Sequence, residues 1–320
     1  MAAGARFDAE AGETGDGGLV EVSAREHVQL DSLSADLSGG VGGEAGTFVV
    51  DPETVTAGSD EYYTDGGNVE IIAEDSITVE SGATINTRDI DDTDFADDRT
   101  NADAENQDST GASGDITLKA PEITLAGDGT DGASLLAFTT GIHDGGAITL
   151  EAGEDAEADT DITDDARIDI QAGAIVDAGA RDSGTAGDVT VSALAIDRLA
   201  SGFGDATANV DVSGQLVGRD IVVEAEARTL LELDTAESAN DVTAVDDIRN
   251  RIEATIDDPG DLTENLDVLP GSFAIAKADA TVDINADAEL TASRDIDIAA
   301  DATGWSTSPM TVQSAKRRAG

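Results

Sequence analysis

Apolar and polar residues alternate with a period of two in short segments that recur along most of the chain. The phrase reads Gly66-Gly67-Asn68-Val69-Glu70-Ile71-Ile72-Ala73, then Gly114-Asp115-Ile116-Thr117-Leu118-Lys119-Ala120. It returns at Gly145–Ala152 and Gly187–Ala193, with looser copies at Gly17–Ala24, Gly218–Ala225 and Arg294–Ala300. Such alternation, with mostly β-branched apolar choices, predicts strands that bury one face. A second phrase follows most copies: Ile77-Thr78-Val79, Ile123-Thr124-Leu125 and Ile168-Asp169-Ile170. Each unit therefore holds strands of three to five residues, parted by corners rich in Gly, Asp and Ser. Matched hairpin turns are not the recurring joint.

The Gly-led phrases lie 49, 48, 31, 42 and 31 residues apart from Gly17 through Gly66, Gly114, Gly145 and Gly187 to Gly218. A recognisable unit of variable length predicts a solenoid, whose fixed cross-section extrudes loops of any size at its corners. The fold class is all-β: a single-stranded parallel β-helix of about 10–12 turns and roughly 50 Å at 4.7–4.9 Å per turn. A right-handed coil is the expected outcome of parallel crossovers. The inward set is Val69, Ile71, Ile77, Val79, Ile116, Leu118, Ile123, Leu125, Ile148, Leu150, Ile168, Ile170, Val189, Val191, Ile221, Val223, Val282, Ile284, Ile296 and Ile298.

Three stretches interrupt the pattern. Residues 86–113 carry nine acids and almost no apolar residue, which predicts a solvated loop, and 151–166 repeat this on a smaller scale. In 241–271, Val245, Ile248, Ile252 and Ile256 recur at helical spacing before Pro259-Gly260, so one short helix is expected. The organisation is thus an irregular segment at 1–16, the solenoid at 17–305 with insertions at 86–113 and 241–271, and a tail at 306–320.

Composition narrows the function. The 320 residues hold 69 acids and 17 bases, a net charge of −52, so nucleic acid and anionic lipid are repelled. No apolar run reaches the roughly 18–20 residues of a membrane-spanning helix. Cys is absent, which excludes disulfides, thiolate metal sites and a thiol nucleophile. High Asp with only three Lys suits a saline habitat, where salt screens like charges on stacked turns.

Candidate chemistry is sparse. Tyr62, Tyr63, Phe95, Phe138, Phe203 and Trp305 are scattered rather than grouped as sugar platforms, and His27 and His143 have no second ligand at a metal-like offset. The densest acidic loops, Asp89–Asp94 and Asp159–Asp165, lack the EF-hand order of Gly and Glu. The expectation is no enzyme, no catalytic, cofactor-binding or metal-ligating residue, and no cofactor.

The string Gly114-Asp115-Ile116-Thr117-Leu118-Lys119-Ala120-Pro121-Glu122-Ile123-Thr124-Leu125 resembles the repeats of filamentous haemagglutinin-type adhesins. Leu269-Pro270-Gly271-Ser272-Phe273-Ala274-Ile275-Ala276-Lys277-Ala278-Asp279-Ala280-Thr281-Val282-Asp283-Ile284 and Ala288–Ile296 are similar to the leukotoxin-type filamentous adhesin branch. The resemblance covers about 17–305. It implies a structural, adhesive segment of a large secreted filamentous protein at the cell surface, attaching to a host-cell, glycan or other surface receptor. It also implies two-partner secretion through an outer-membrane export partner. Met1–Asp8 has no apolar signal region, so an internal fragment is expected. The alternatives are a polysaccharide-active β-helix lyase or hydrolase, and an acidic cation-binding matrix protein. Uncapped solenoid ends add the expectation of end-to-end self-association.

Overall fold

A computed structural model describes residues 5–89, 109–153, 165–199, 202–231 and 274–303. Strand β1 (Ala5–Asp8) precedes the first complete turn, which is β2 (Leu19–Ser23), β3 (His27–Leu30) and β4 (Leu33–Asp36). The next turn is β5 (Thr47–Asp51), β6 (Thr54–Ala57) and β7 (Glu61–Tyr63), and the third is β8 (Asn68–Ile72), β9 (Ser76–Val79) and β10 (Thr84–Asn86). Then come β11 (Ile116–Ala120), β12 (Glu122–Leu125) and β13 (Ser134–Leu136), and β14 (Ile148–Gly153), β15 (Asp165–Ile170) and β16 (Ile175–Asp177). The last strands are longer: β17 (Val189–Leu199), β18 (Gly202–Val212), β19 (Gln215–Leu231), β20 (Ala274–Ile284) and β21 (Glu289–Thr303).

Each strand pairs in parallel with its equivalent one turn away, so the chain is a three-faced parallel β-helix. The first face stacks β2, β5, β8, β11, β14, β17, β19 and β21, and the second stacks β3, β6, β9, β12, β15, β18 and β20. The third stacks β1, β4, β7, β10, β13 and β16, then the opening residues of β19 and β21. Those two strands bend through a corner and serve two faces, with a register shift between Gly218 and Asp220.

Like stacks on like. Val69, Ile116, Ile148, Val189 and Ile221 form one inward column of the first face, and Ile71, Leu118, Leu150, Val191 and Val223 the next. Of the twenty inward residues read from the pattern, seventeen are buried, while Ile284, Ile296 and Ile298 in the last turn are half-buried against the core. No helix occurs among the described residues, and the helical spacing at 241–271 falls outside them.

The described residues complete seven turns of the second face, fewer than the 10–12 expected, and eight layers span about 34 Å on the first face. Successive first-face partners lie 28, 21, 47, 32, 41, 32 and 75 residues apart. The 49-residue interval from Gly17 is thus two turns, and the overlooked one is β5. Its Phe48-Val49-Val50 run hides the alternation, although Phe48 and Val50 are buried and Val49 is not. Three boundaries also move, the first at 151–166, where Glu151, Ala152 and Gly153 belong to β14 and Asp165 and Ala166 to β15, with Ala152 and Ala166 buried. Ala5–Asp8, expected to be irregular, pairs with β4, and Phe7 packs 6.1 Å from Phe48. The insertion read at 86–113 begins later, because Asn86 ends β10 while Thr87 and Arg88 are buried.

Glycine sets the corner between the third and first faces. A Cβ on Gly146 would lie 2.0 Å from the Gly114 carbonyl oxygen, and one on Gly187 would lie 2.0 Å from that of Gly146. Gly46 over Gly18 and Gly114 over Gly67 meet at 2.0 and 2.3 Å. The column therefore admits no side chain while turns stack at strand spacing. It is released only where Arg219 follows Gly187, beside the register shift. From there alanine lets the section widen. Ala195 and Ala227 on the first face, and Ala206, Ala208 and Ala278 on the second, are all buried. Thr229 Oγ1 donates to the Lys277 carbonyl at 2.6 Å, tying β19 to β20 across this extension. Gly146→Ala should lower stability by about 1–3 kcal/mol through overpacking. Gly12→Ala, with open space at that Cβ, should leave the chemical-denaturation midpoint nearly unchanged.

Candidate functional site

The corner with the glycine column also carries the stacked loops that give this surface its relief. Residues 137–147 and 178–188 are bonded through Thr139 N to the Gly179 carbonyl (3.1 Å), Arg181 N to the Thr139 carbonyl (2.9 Å) and Gly145 N to the Thr185 carbonyl (2.8 Å). Ser109 N donates to Thr140 Oγ1 at 2.5 Å, and Ser113 Oγ to the Phe138 carbonyl at 2.9 Å, so residues 109–113 join the same platform. Asp144 accepts the Thr185 N–H at 3.0 Å, and this bond, then the Thr185 hydroxyl and the His143 charge, holds its carboxyl below the usual range.

Beneath the platform lies its charged anchor. The guanidinium carbons of Arg88 and Arg181 sit 4.0 and 4.3 Å from the centroid of the buried Phe138 ring. Arg181 pairs with Asp177, whose side chain is only 5% exposed and also accepts the Gly179 N–H at 2.9 Å. Cation–π contact and the ion pair of half-exposed Arg181 with a buried carboxylate thus fix the loop bases. The tips remain in solvent: Ile142 is 78% exposed, and Val41, at the tip of the corresponding loop lower on the same corner, is 87% exposed. Sequence reading took Phe138 as one scattered aromatic and Arg88 as part of a solvated loop. The signal available was an Arg only two residues after the strand-forming Thr84-Ile85-Asn86.

Polar columns run down the outer faces. On the second face Asp169, Asp211 and Asp283 occupy one column in successive turns. Burial first, then the charges of Asp169 and Asp283, raise the Asp211 carboxyl above its usual value, although Asn285 donates to it at 2.6 Å. At the glycine corner the charges are instead offset. Arg219 pairs with Asp188 and Arg294 with Asp220, while Asp220 N and Asp295 N donate to the carboxylate one turn below at 3.3 and 3.2 Å. Asp188 is held below the usual range by this arrangement despite the opposing effect of its burial.

The residues weighed for chemistry do not come together. His27 Nδ1 lies 2.8 Å from Thr54 Oγ1 on an exposed part of the second face, whereas His143 sits in the loop platform. Tyr62, Tyr63 and Phe138 are interior. The Tyr62 hydroxyl donates to the Leu30 and Gly58 carbonyls at 2.7 and 3.0 Å, and burial, then Asp60 and Asp31, raises its pKa. Of the two acidic loops only Asp89 and Asp165 are described, and Asp89 accepts the Thr110 hydroxyl at 2.6 Å. Phe95 and Trp305 lie outside the described residues. Among the described residues no three His, Asp or Glu side chains converge as a metal ion would require, and no helix is long and apolar enough to cross a membrane.

Comparison of the chain with models of known families, with curated proteins and with solved structures finds no match.

The Asp211 column yields a pH test. A carboxyl whose folded pKa is raised favours the fold below its unfolded pKa of about 3.9, and that contribution is lost as pH rises through the folded value. At neutral pH the column is therefore a penalty. Asp211→Asn should stabilise the protein at pH 7 by about 1 kcal/mol, the scale of one like-charge pair at strand spacing. The gain should vanish near pH 3, as read from denaturation midpoints at the two pH values.

Proposed function

We propose that this chain is a structural, adhesive segment of a large secreted filamentous protein that acts at the cell surface and has no enzymatic activity of its own. The observation that carries the reading is the division of labour in the solenoid. Seven turns of hydrogen-bonded, apolar-cored backbone hold one corner of stacked loops, whose anchored bases and exposed apolar tips suit binding rather than turnover. Catalysis on polysaccharides would call for acids converging with a base on one face, near aromatic platforms. The described carboxylates are instead spread along columns by the stacking itself.

The resemblance of 114–125 to adhesin repeats supports the same reading. That string forms the corner glycine, β11 and β12, which make up most of one turn. Export through an outer-membrane partner, and attachment to a glycan or other surface receptor, follow from this proposal. So does a saline setting, since outward acids repeated at about 4.8 Å are tolerated best where the screening length is short.

Beads coated with the full chain should be retained on a glycan-bearing surface. Val41→Asp with Ile142→Asp should reduce retention several-fold without shifting the denaturation midpoint. Saturable turnover of any member of a panel of acidic and neutral glycans would replace this reading with the polysaccharide-active one.

A further inference from the structure

We propose that residues 109–113, 137–147 and 178–188 open and close as one unit, governed by the Arg88–Phe138–Arg181 anchor. Resting on the adhesive reading of that platform, this assigns how its binding surface is controlled: the surface is presented whole or not at all. Arg88 follows β10, Phe138 follows β13, and Asp177 ends β16 shortly before Arg181. Three successive turns thus contribute to a single cluster, and each of them carries one of the three loop segments.

The cluster ties the loop bases together. The Phe138 ring is buried, with the guanidinium carbon of fully buried Arg88 at 4.0 Å and that of Arg181 at 4.3 Å. A guanidinium held against an aromatic face in a dry site gains more than at the surface, and loses that gain when the ring departs. Arg181 in turn neutralises Asp177, whose other bond is to the Gly179 N–H at 2.9 Å. Moving the base of 137–147 therefore uncovers Arg88 on one side and disturbs Arg181 on the other. Release of Arg181 leaves a buried carboxylate without its cation, which is costly.

Above the anchor the middle loop is bonded on both sides. Toward the next turn, the Gly141 carbonyl accepts from Ser183 N and Gly184 N at 3.0 Å each, and Gly141 N donates to Asp182 at 3.0 Å. Toward the preceding turn, Ser109 N donates to Thr140 Oγ1 at 2.5 Å and Thr140 N to Ser109 Oγ at 3.1 Å, while Ser113 N donates to the Asp144 carbonyl at 3.1 Å. Thr110 closes the circuit. Its N–H and hydroxyl both donate to Asp89, the neighbour of Arg88, at 3.0 and 2.6 Å. A segment that cannot open without breaking bonds to its neighbours is the condition for a cooperative local unit. The strands beneath stand outside it, because β14 and β17 are held by their own ladder. Contact at the exposed tip residue Ile142 is therefore felt in 109–113 and in 178–188 together.

Hydrogen exchange of the full chain, followed by mass spectrometry on peptides from the three segments and from β14 and β17, tests it. In Arg181→Gln all three segments should exchange several-fold faster by a common factor, while β14 and β17 keep the parent's rates and so report an intact solenoid. Phe138→Leu, which keeps the Arg181–Asp177 pair and the apolar burial, should give the same pattern. Arg181→Lys, which keeps a cation for Asp177 but not the planar stack, should fall between parent and Arg181→Gln. Beads coated with Arg181→Gln should also be retained several-fold less than the parent on a glycan-bearing surface. Faster exchange confined to 178–188, a segment-by-segment spread of factors, or rates equal to the parent's overturns the coupling. Parent-level retention of a chain whose three segments have all opened overturns its control of binding. A parent chain that is not retained at all overturns the adhesive reading instead, and the exchange pattern still decides the coupling.

Discussion

Parallel hydrogen bonding between one turn and the next, at strand spacing of about 4.8 Å, is the constraint on which this structure depends. It fixes the axial rise, so side chains must repeat their position in every turn and be tolerated beside their own equivalents. Inside, this selects Val, Ile, Leu and Ala columns with almost no exposure. At the tightest corner it removes the side chain altogether, because a Cβ on Gly146 or Gly187 would occupy the space of the carbonyl one turn away. A turn that needs more room abandons glycine and shifts register, as happens at Gly218–Asp220.

The same constraint shapes the outside. A column that repeats Asp accumulates repulsion, as Asp169, Asp211 and Asp283 do, while the column of Asp188, Asp220 and Asp295 is offset by Arg219 and Arg294 beside it. The chain uses both, so its charge is distributed by column rather than by patch. Loops escape the constraint because only their bases belong to a turn. That freedom lets 137–147 and 178–188 build a platform whose anchor, Arg88 and Arg181 on Phe138, draws on residues from three different turns.

The inward columns were legible because alternation is local: Ile116-Thr117-Leu118 declares its buried face without reference to any other turn. Turn number was not legible, since it depends on recognising each turn, and Phe48-Val49-Val50 looks like a continuous apolar run. Nor were the buried alanines of the C-terminal extension, because Ala195 or Ala206 is equally at home in a loop or a helix until the opposite sheet is known. The Arg88–Phe138–Arg181 anchor was hidden for the same reason, as its members are 50 and 43 residues apart in sequence and meet only through the stacking. Phe7 in β1 shows the reverse case, a segment too short to carry a pattern yet placed by pairing with β4.

The central claim is that position along the axis is set by turn number and not by sequence separation. The chain has no Cys, so pairs can be introduced and spin-labelled without background. Val49, Thr149, Thr190, Val222 and Asp297 lie in one outward column of the first face. With one label at residue 49, pulsed electron spin resonance should give separations near 14, 19, 24 and 29 Å for the other four, rising by about 4.8 Å per turn. The even increments should hold although the corresponding sequence steps are 41, 32 and 75 residues. Separations that scale with those sequence steps, or that fail to rise along the series, would contradict the stacked solenoid.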